Sequence, residues 1–204
     1  MPEGKRKGLL VVISSPSGGG KTTVYRAILS RHPDYKYSVS ATTRPPRTNE
    51  RHGVDYFFLS DEEFDEKIKN GEFVEWAYVH GHRYGTLKKF VEESLASDEV
   101  LIFDLDVQGA AAMKAAYPDE SVLIFLLPPS REELRQRLIH RGTDPIEVIE
   151  QRLKNAEQEI KRIPEYDYLV INDDLQQCID RVDAIITAEL CRPFRVLPVP
   201  GWGI

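Results

Sequence analysis

The stretch SSPSGGGKTT (residues 14–23) constrains this chain more than any other. It follows GLLVVIS (residues 8–14), a continuous β-branched apolar run of the kind needed by a strand buried on both faces of a parallel sheet. A glycine-rich turn between such a strand and a helix starting near Lys21 is the setting of a phosphate-binding loop. Glycines let the backbone curl so that successive N–H groups point inward. The helix N-terminus adds partial positive charge, and the lysine reaches the outer phosphates. Ser17, Gly18, Gly19, Gly20, Lys21, Thr22 and Thr23 are therefore candidate nucleotide ligands, with Lys21 also catalytic and the Thr22 hydroxyl offered to Mg²⁺. The strict pattern has glycine where this chain has Ser15, so the first turn must form without glycine's freedom. The bland alternative, a glycine-rich turn that only caps a helix, does not explain strand, lysine and threonine together.

Two more buried runs, VLIFDLD (residues 100–106) and VLIFLL (residues 122–127), each precede a helical stretch, and YLVIN (residues 168–172) is a fourth. Strands alternating with helices predict an α/β fold, a parallel sheet flanked by helices. Between residues 35 and 87 the texture changes to short pieces, YSVSATT and DYFFLS, with polar turns and a charged helix near residues 61–70. That predicts a small mixed-β insert. Residues 130–162 read as two charged helices broken at Gly142 and Pro145, a helical lid. The expected division is a core of 1–36, 89–129 and 163–192, an insert of 37–88, a lid of 130–162, and a proline-rich extended tail of 193–204. At about 150 residues per domain, 204 residues suit one domain with an inserted module.

Charge and composition narrow the partners. The 27 basic and 33 acidic residues leave a net −6, which argues against nucleic-acid or anionic-membrane binding unless basic residues cluster. Two cysteines can build neither a disulfide framework nor a four-ligand zinc site. No apolar run approaches the ~20 residues of a membrane span. The expectation is a cytoplasmic protein. Basic residues do cluster once: Arg44, Arg47 and Arg51, with Tyr56 close behind, make a candidate monophosphate clamp, because guanidinium forks pair with phosphate oxygens. The segment from Asp106 to Gly109 matches the D-x-x-G of GTP switches, but no N-K-x-D segment accompanies it, and a strand-end acid before a helix fits better. His80 and His82 read as turn residues, since no third metal ligand has suitable spacing.

Taken in order, S-x-P-S-G-x-G-K-[ST], S-V-S-x-T-T-R-x-P-R, G-x-x-Y-x-F, E-F-x-E-W-A, Y-G-T, D-x-D-x-Q-G, P-P-S and R-G-T closely resemble the guanylate kinase family over residues 8–190. The resemblance implies Mg²⁺-dependent phosphoryl transfer from ATP to GMP (and dGMP), giving ADP and GDP. It implies guanine contacts at Ser40, Glu75, Thr86 and Asp106. GMP phosphate ligands at Arg44, Arg47, Tyr56 and Tyr84 follow in the same way, Arg44 also being catalytic. Lid arginines at Arg137, Arg141 and Arg152, an adenine contact at Asn172 with Arg141 stacking on the ring, and a metal-side carboxylate at Asp104 complete the set. The chemistry of the base agrees with it: guanine presents N1–H and N2–H₂ as adjacent donors, which one carboxylate accepts as a pair. Phe73 and Trp76 are expected in the core, with Glu75 on the opposite face. Two other readings stand beside this one: a non-catalytic, guanylate-kinase-like module that binds protein segments, and a P-loop kinase for another small phosphorylated acceptor.

Overall fold

The computed structural model describes residues 8–79, 81–140 and 145–199. Its strands are β1 (Leu9–Ser14), β2 (Lys36–Tyr37), β3 (Ala41–Thr42), β4 (Phe57–Phe58), β5 (Phe73–Val79), β6 (His82–Leu87), β7 (Val100–Asp104), β8 (Ser121–Leu127) and β9 (Tyr168–Ile171). Its helices are α1 (Lys21–Arg31), α2 (Asp61–Lys69), α3 (Lys88–Ala96), α4 (Val107–Ala116), α5 (Arg131–His140), α6 (Ile146–Ile160), α7 (Leu175–Leu190) and α8 (Pro193–Val196).

The continuous apolar runs become one five-stranded sheet in the order β2-β7-β1-β8-β9, with every neighbouring pair parallel. Alternation along β1 explains why its sequence shows no polar face. Leu9, Val11 and Ile13 pack with Val24 and Ile28 of α1 and Val182 and Ile186 of α7. Leu10 and Val12 point the other way, to Val91 of α3 and Met113 of α4. Each such fully buried side chain contributes about 1.5–3 kcal/mol of transfer free energy. The chain leaves β1 toward β2 on one side and later crosses from β7 to β8 on the other, so the strand order changes direction at β1. A crevice at the carboxyl ends of the strands is where such sheets bind ligands.

A second sheet, ordered β4-β3-β6-β5, mixes one parallel pair with two antiparallel ones. Its core is Ala41, Phe64, Phe73 and Leu87. Helix α2 starts with a full capping box, Ser60 accepting from Glu63 N while the Glu63 carboxylate accepts from Ser60 N, and three acids fill its first turn. Arg83 is buried against this helix, its guanidinium between Asp61 and Asp65 and over the Phe64 ring. Helices α5 and α6 have a small core of their own, made by Leu134, Leu138, Ile149, Leu153 and Ala156.

Three local expectations are corrected. YSVSATT is not one strand: Tyr37 belongs to the parallel sheet, and only Ala41–Thr42 joins the second sheet. Trp76 is not core but 42% exposed, since β5 is an edge strand of a small sheet. The tail is not wholly extended, because Pro193 opens the short helix α8, where a missing N–H costs nothing. That helix drives Arg195 to 1% exposure, where it donates to Gly8 O (2.8 Å) and Asp119 O (2.7 Å) beside the starts of β1 and β8.

Candidate active site

The loop after β1 is built by backbone geometry. Gly18 and Gly20 have φ of +94° and +92°, which side-chain-bearing residues rarely adopt. At Gly20 a Cβ would also stand 2.4 Å from Asn172 Nδ2. Ser15 needs no such freedom: its φ is not positive, and the turn closes through Gly19 N to Pro16 O at 2.8 Å. Helix α1 then begins with no side-chain cap and no acidic residue in its first turn. With no side chain over its first turn, its dipole is left for an external anion. Ser17, Thr22 and Thr23 are exposed around it. Lys21 Nζ lies 2.5 Å from Asp104 Oδ1 at the end of β7 and 3.5 Å from Leu105 O. Ser14 Oγ donates to the same carbonyl at 2.8 Å, tying β1 to the end of β7.

Asp106 is the N-cap of α4, its Oδ1 accepting from Gln108 N (2.9 Å) and Gly109 N (2.8 Å). The D-x-x-G match is therefore a helix start. Facing it across the cleft is Glu75 on β5, whose Oε1 accepts from Thr86 Oγ1 of β6 at 2.6 Å, while Oε2 borders Gly109. A register shift between Phe73 and Glu75 lets Phe73 and Trp76 both meet Phe64 while Glu75 points away. Simple alternation would have put Phe73 and Glu75 on one face, so the bulge is what aims the carboxylate. Burial, reinforced by the charge of Asp106 and opposed by the Thr86 hydrogen bonds, holds Glu75 above the ordinary carboxylate range.

Ser40 is half-buried beside this sheet, its carbonyl accepting from Phe57 N. Arg44 lies over the Tyr56 ring at 5.3 Å, and Tyr56 meets Tyr84 edge-on at 5.9 Å. The Arg44 guanidinium donates to Glu50 Oε1 (2.8 Å) and Pro45 O (2.9 Å). The Glu50 carboxylate, with the Tyr84 hydroxyl assisting, raises Arg44 above the usual guanidinium range, and Arg44 in turn lowers Glu50. Arg47 gives its backbone N–H to Glu50 Oε2 (2.8 Å), and its side chain is exposed. Burial raises the Tyr56 phenol, and Asp104 is close enough to add to that shift. The structure thus brings Lys21, Asp104, Asp106, Glu75, Thr86, Arg44, Tyr56 and Tyr84 around the carboxyl end of the parallel sheet.

From the lid, Arg152 Nη1 donates to Ser17 Oγ (3.0 Å). Arg137 spans Glu133 (2.9 Å) and Asn172 O (3.0 Å). Arg141 and His80 lie outside the described residues, while His82 opens β6. Among the described residues no three His, Cys, Asp or Glu converge as a metal cage. Asn172, the expected adenine contact, is 4% exposed and donates its amide to Gly19 O at 2.8 Å, bracing the loop. Two acids escaped the sequence reading. Glu50 carries no periodic signal in its loop. Glu159 does: it lies two helical turns after Arg152 on the same face of α6, within charge range of Lys21 and Asp106, with Oε2 buried and unpaired. Its burial raises its pKa.

The guanylate kinase family model matches residues 7–189. The chain belongs to the guanylate kinase family. It is 48% identical over 197 residues to the guanylate kinase of Syntrophotalea carbinolica, covering 97% of this chain and 93% of that one. It is 50% identical over 190 residues to the guanylate kinase of Myxococcus xanthus, covering 93% and 90%. The crystal structure of guanylate kinase from Anaplasma phagocytophilum superposes with a TM-score of 0.76 at 34% identity, covering 95% of this chain and 92% of that one. The guanylate kinase match runs from β1 through most of α7, so α8 and Arg195 lie beyond it.

Proposed function

We propose that the chain transfers the γ-phosphoryl group of ATP to GMP (and dGMP), giving ADP and GDP, as an enzyme of cytoplasmic purine nucleotide metabolism. The observation that carries this reading is the opposition of two half-sites: an uncapped, acid-free start of α1 with Lys21, and a half-buried Glu75 already hydrogen-bonded to Thr86. The first suits polyphosphate. The second suits guanine, whose paired N1–H and N2–H₂ donors match a carboxylate; adenine would leave that carboxylate unpaired, and such sites discriminate by about 10⁴–10⁵.

Arg44, Arg47, Tyr56 and Tyr84 hold the GMP phosphate in this scheme, with Ser40 and Asp106 beside the base. No general base is required, because the attacking phosphate oxygen is already anionic. What it needs is in-line placement, with positive charge around the transferred group. Lys21, Arg137, Arg141 and Arg152 supply that charge, and the lid of residues 130–162 closes over the insert of 37–88 to exclude water. The exposed Thr22 hydroxyl and the Asp104 carboxylate, one oxygen of which is held by Lys21, are the hard oxygen donors that Mg²⁺ takes together with phosphates and water. When bound, Mg²⁺ neutralises charge on the donor phosphates. No helix among the described residues is long and apolar enough to cross a membrane.

The test is ADP release from MgATP with GMP, dGMP, AMP, CMP, UMP and a sugar phosphate. Turnover confined to the guanine acceptors is expected. GMP binding without turnover would transfer the assignment to a binding module, and turnover with the sugar phosphate to a kinase of another specificity.

A further inference from the structure

Glu50 sits where its charge is hardest to reconcile with the proposed acceptor. Its two carboxylate oxygens are shared between the two arginine positions of the clamp, Oε1 on Arg44 Nη2 and Oε2 on Arg47 N, both at 2.8 Å. The pair is largely withdrawn from water, with Arg44 and Glu50 side chains 14% and 18% exposed. An anion whose two oxygens accept from one guanidinium N–H and one backbone amide presents to Arg44 and Arg47 the kind of oxygen acceptor that a phosphate also presents. Two further features show that the arrangement is specific. Arg44 also donates to Pro45 O and lies over Tyr56, contacts that do not involve Glu50. The Tyr56 and Phe58 rings lie against the same guanidinium and the Tyr84 side chain hydrogen-bonds to it, so an incoming dianion must come close to the Glu50 carboxylate.

We propose that Glu50 is a built-in placeholder for the acceptor phosphate: it neutralises Arg44 while the site waits, and GMP binds by exchanging its phosphate for the Glu50 carboxylate. This rests on the reading of Arg44 as a GMP phosphate ligand. Bringing a dianion beside an ionised carboxylate is unfavourable, so the exchange lowers apparent GMP affinity, and it does so only for ligands that carry the phosphate. The compensation is that Arg44 is never left half-buried and unpaired, a state that costs more than the ion pair contributes. Glu50 is thus a positioning residue that sets acceptor affinity through Arg44 without touching the reacting atoms.

The experiment compares wild type, Glu50→Gln and Glu50→Ala by calorimetric titration with GMP and with guanosine, together with KM and kcat. Glu50→Gln retains an acceptor for Arg47 N and is the variant expected to fold without disturbance; melting curves check both. The expected result is a roughly two- to fivefold tighter Kd and lower KM for GMP in both variants, with guanosine unchanged and kcat not increased. Ligand-free variants should melt lower than wild type and gain more from GMP. Weaker or unchanged GMP binding in Glu50→Gln would overturn the proposal and make Glu50 a support that orients Arg44. If wild type bound no GMP at all, the functional reading would fail. Inorganic phosphate, titrated while the Arg44 guanidinium signal is followed by ¹⁵N NMR and assigned by its absence in Arg44→Lys, would still decide the role of Glu50: tighter in Glu50→Gln supports it, equal or weaker refutes it.

Discussion

The donor and acceptor sides of the proposed cleft hold anions by opposite means. At the start of α1 no side chain of the loop or the helix covers the backbone: there is no cap, no acid in the first turn, and two glycines sit at positive φ. On the acceptor side two groups that would meet the substrate already have partners, Arg44 with Glu50 and Glu75 with Thr86. Helix α2, within the acceptor insert, shows what α1 forgoes, since its N-terminus carries the Ser60–Glu63 capping box and the acids Asp61, Glu62 and Glu63. A backbone-made site is rigid and indifferent to what carries the phosphates. A side-chain-made site is selective, because its pre-formed bonds must be exchanged for equivalent ones, and a wrong ligand leaves a half-buried charge unpaired.

The largest effect is expected at Lys21. Lys21→Ala should lower kcat by at least about 10³, since a cation aimed at the transferring group acts in the transition state. GMP binding by calorimetry should barely change. Glu75→Gln should fall on the other side, lowering kcat/KM for GMP by about 10² while leaving the KM for ATP within twofold in steady-state assays. Gly20→Ala meets both a forbidden φ and the Asn172 amide, and should cost about 1–3 kcal/mol of stability in denaturant titration. It should also raise the KM for ATP but not for GMP. Asn172→Ala should repeat the ATP effect more weakly by removing the bond to the Gly19 carbonyl.

A smaller effect sharpens the contrast through pH. Because burial raises the pKa of Glu75, the wild type should lose GMP affinity on acidification at a pH above the ordinary carboxylate range, while donor binding at the loop does not follow that step. The stability trend of the same group has the opposite sign. The folded chain holds the Glu75 proton more tightly than the unfolded one, so its stabilising contribution is complete below the unfolded pKa and is lost as pH rises through the folded one. Glu75→Gln should erase both trends in titrations of GMP binding and of unfolding against pH.

Legibility followed the same divide. The loop, β1, β7, β8 and β9 could be read directly, because both-face burial writes an unbroken apolar run and the phosphate turn writes glycines at fixed spacing. In the insert, strands of two residues are too short to show a period, so the split of YSVSATT between two sheets depends on where Tyr37 pairs with Ile102, a long-range fact. The aim of Glu75 depends on a bulge that the sequence does not announce. Glu50 and the burial of Arg83 by Asp61 and Asp65 likewise exist only as tertiary pairings. Asn172 was legible as a residue at the end of a strand beside the loop, whereas its bond to Gly19 O joins residues far apart in the chain and exists only in the folded protein. The short helix at Pro193 was hidden by counting prolines without regard to position.

The proposed acceptor site turns on Glu75 accepting from guanine N1–H and N2–H₂ together. The most direct measurement is kcat/KM for GMP against IMP, which keeps N1–H but lacks the 2-amino group, in wild type and Glu75→Gln. One hydrogen bond to a charged acceptor is worth about 1.5–3 kcal/mol. The wild type should therefore prefer GMP by roughly 10- to 150-fold, and Glu75→Gln should bring the two acceptors close to parity. A GMP/IMP ratio that is the same in both proteins would contradict the account.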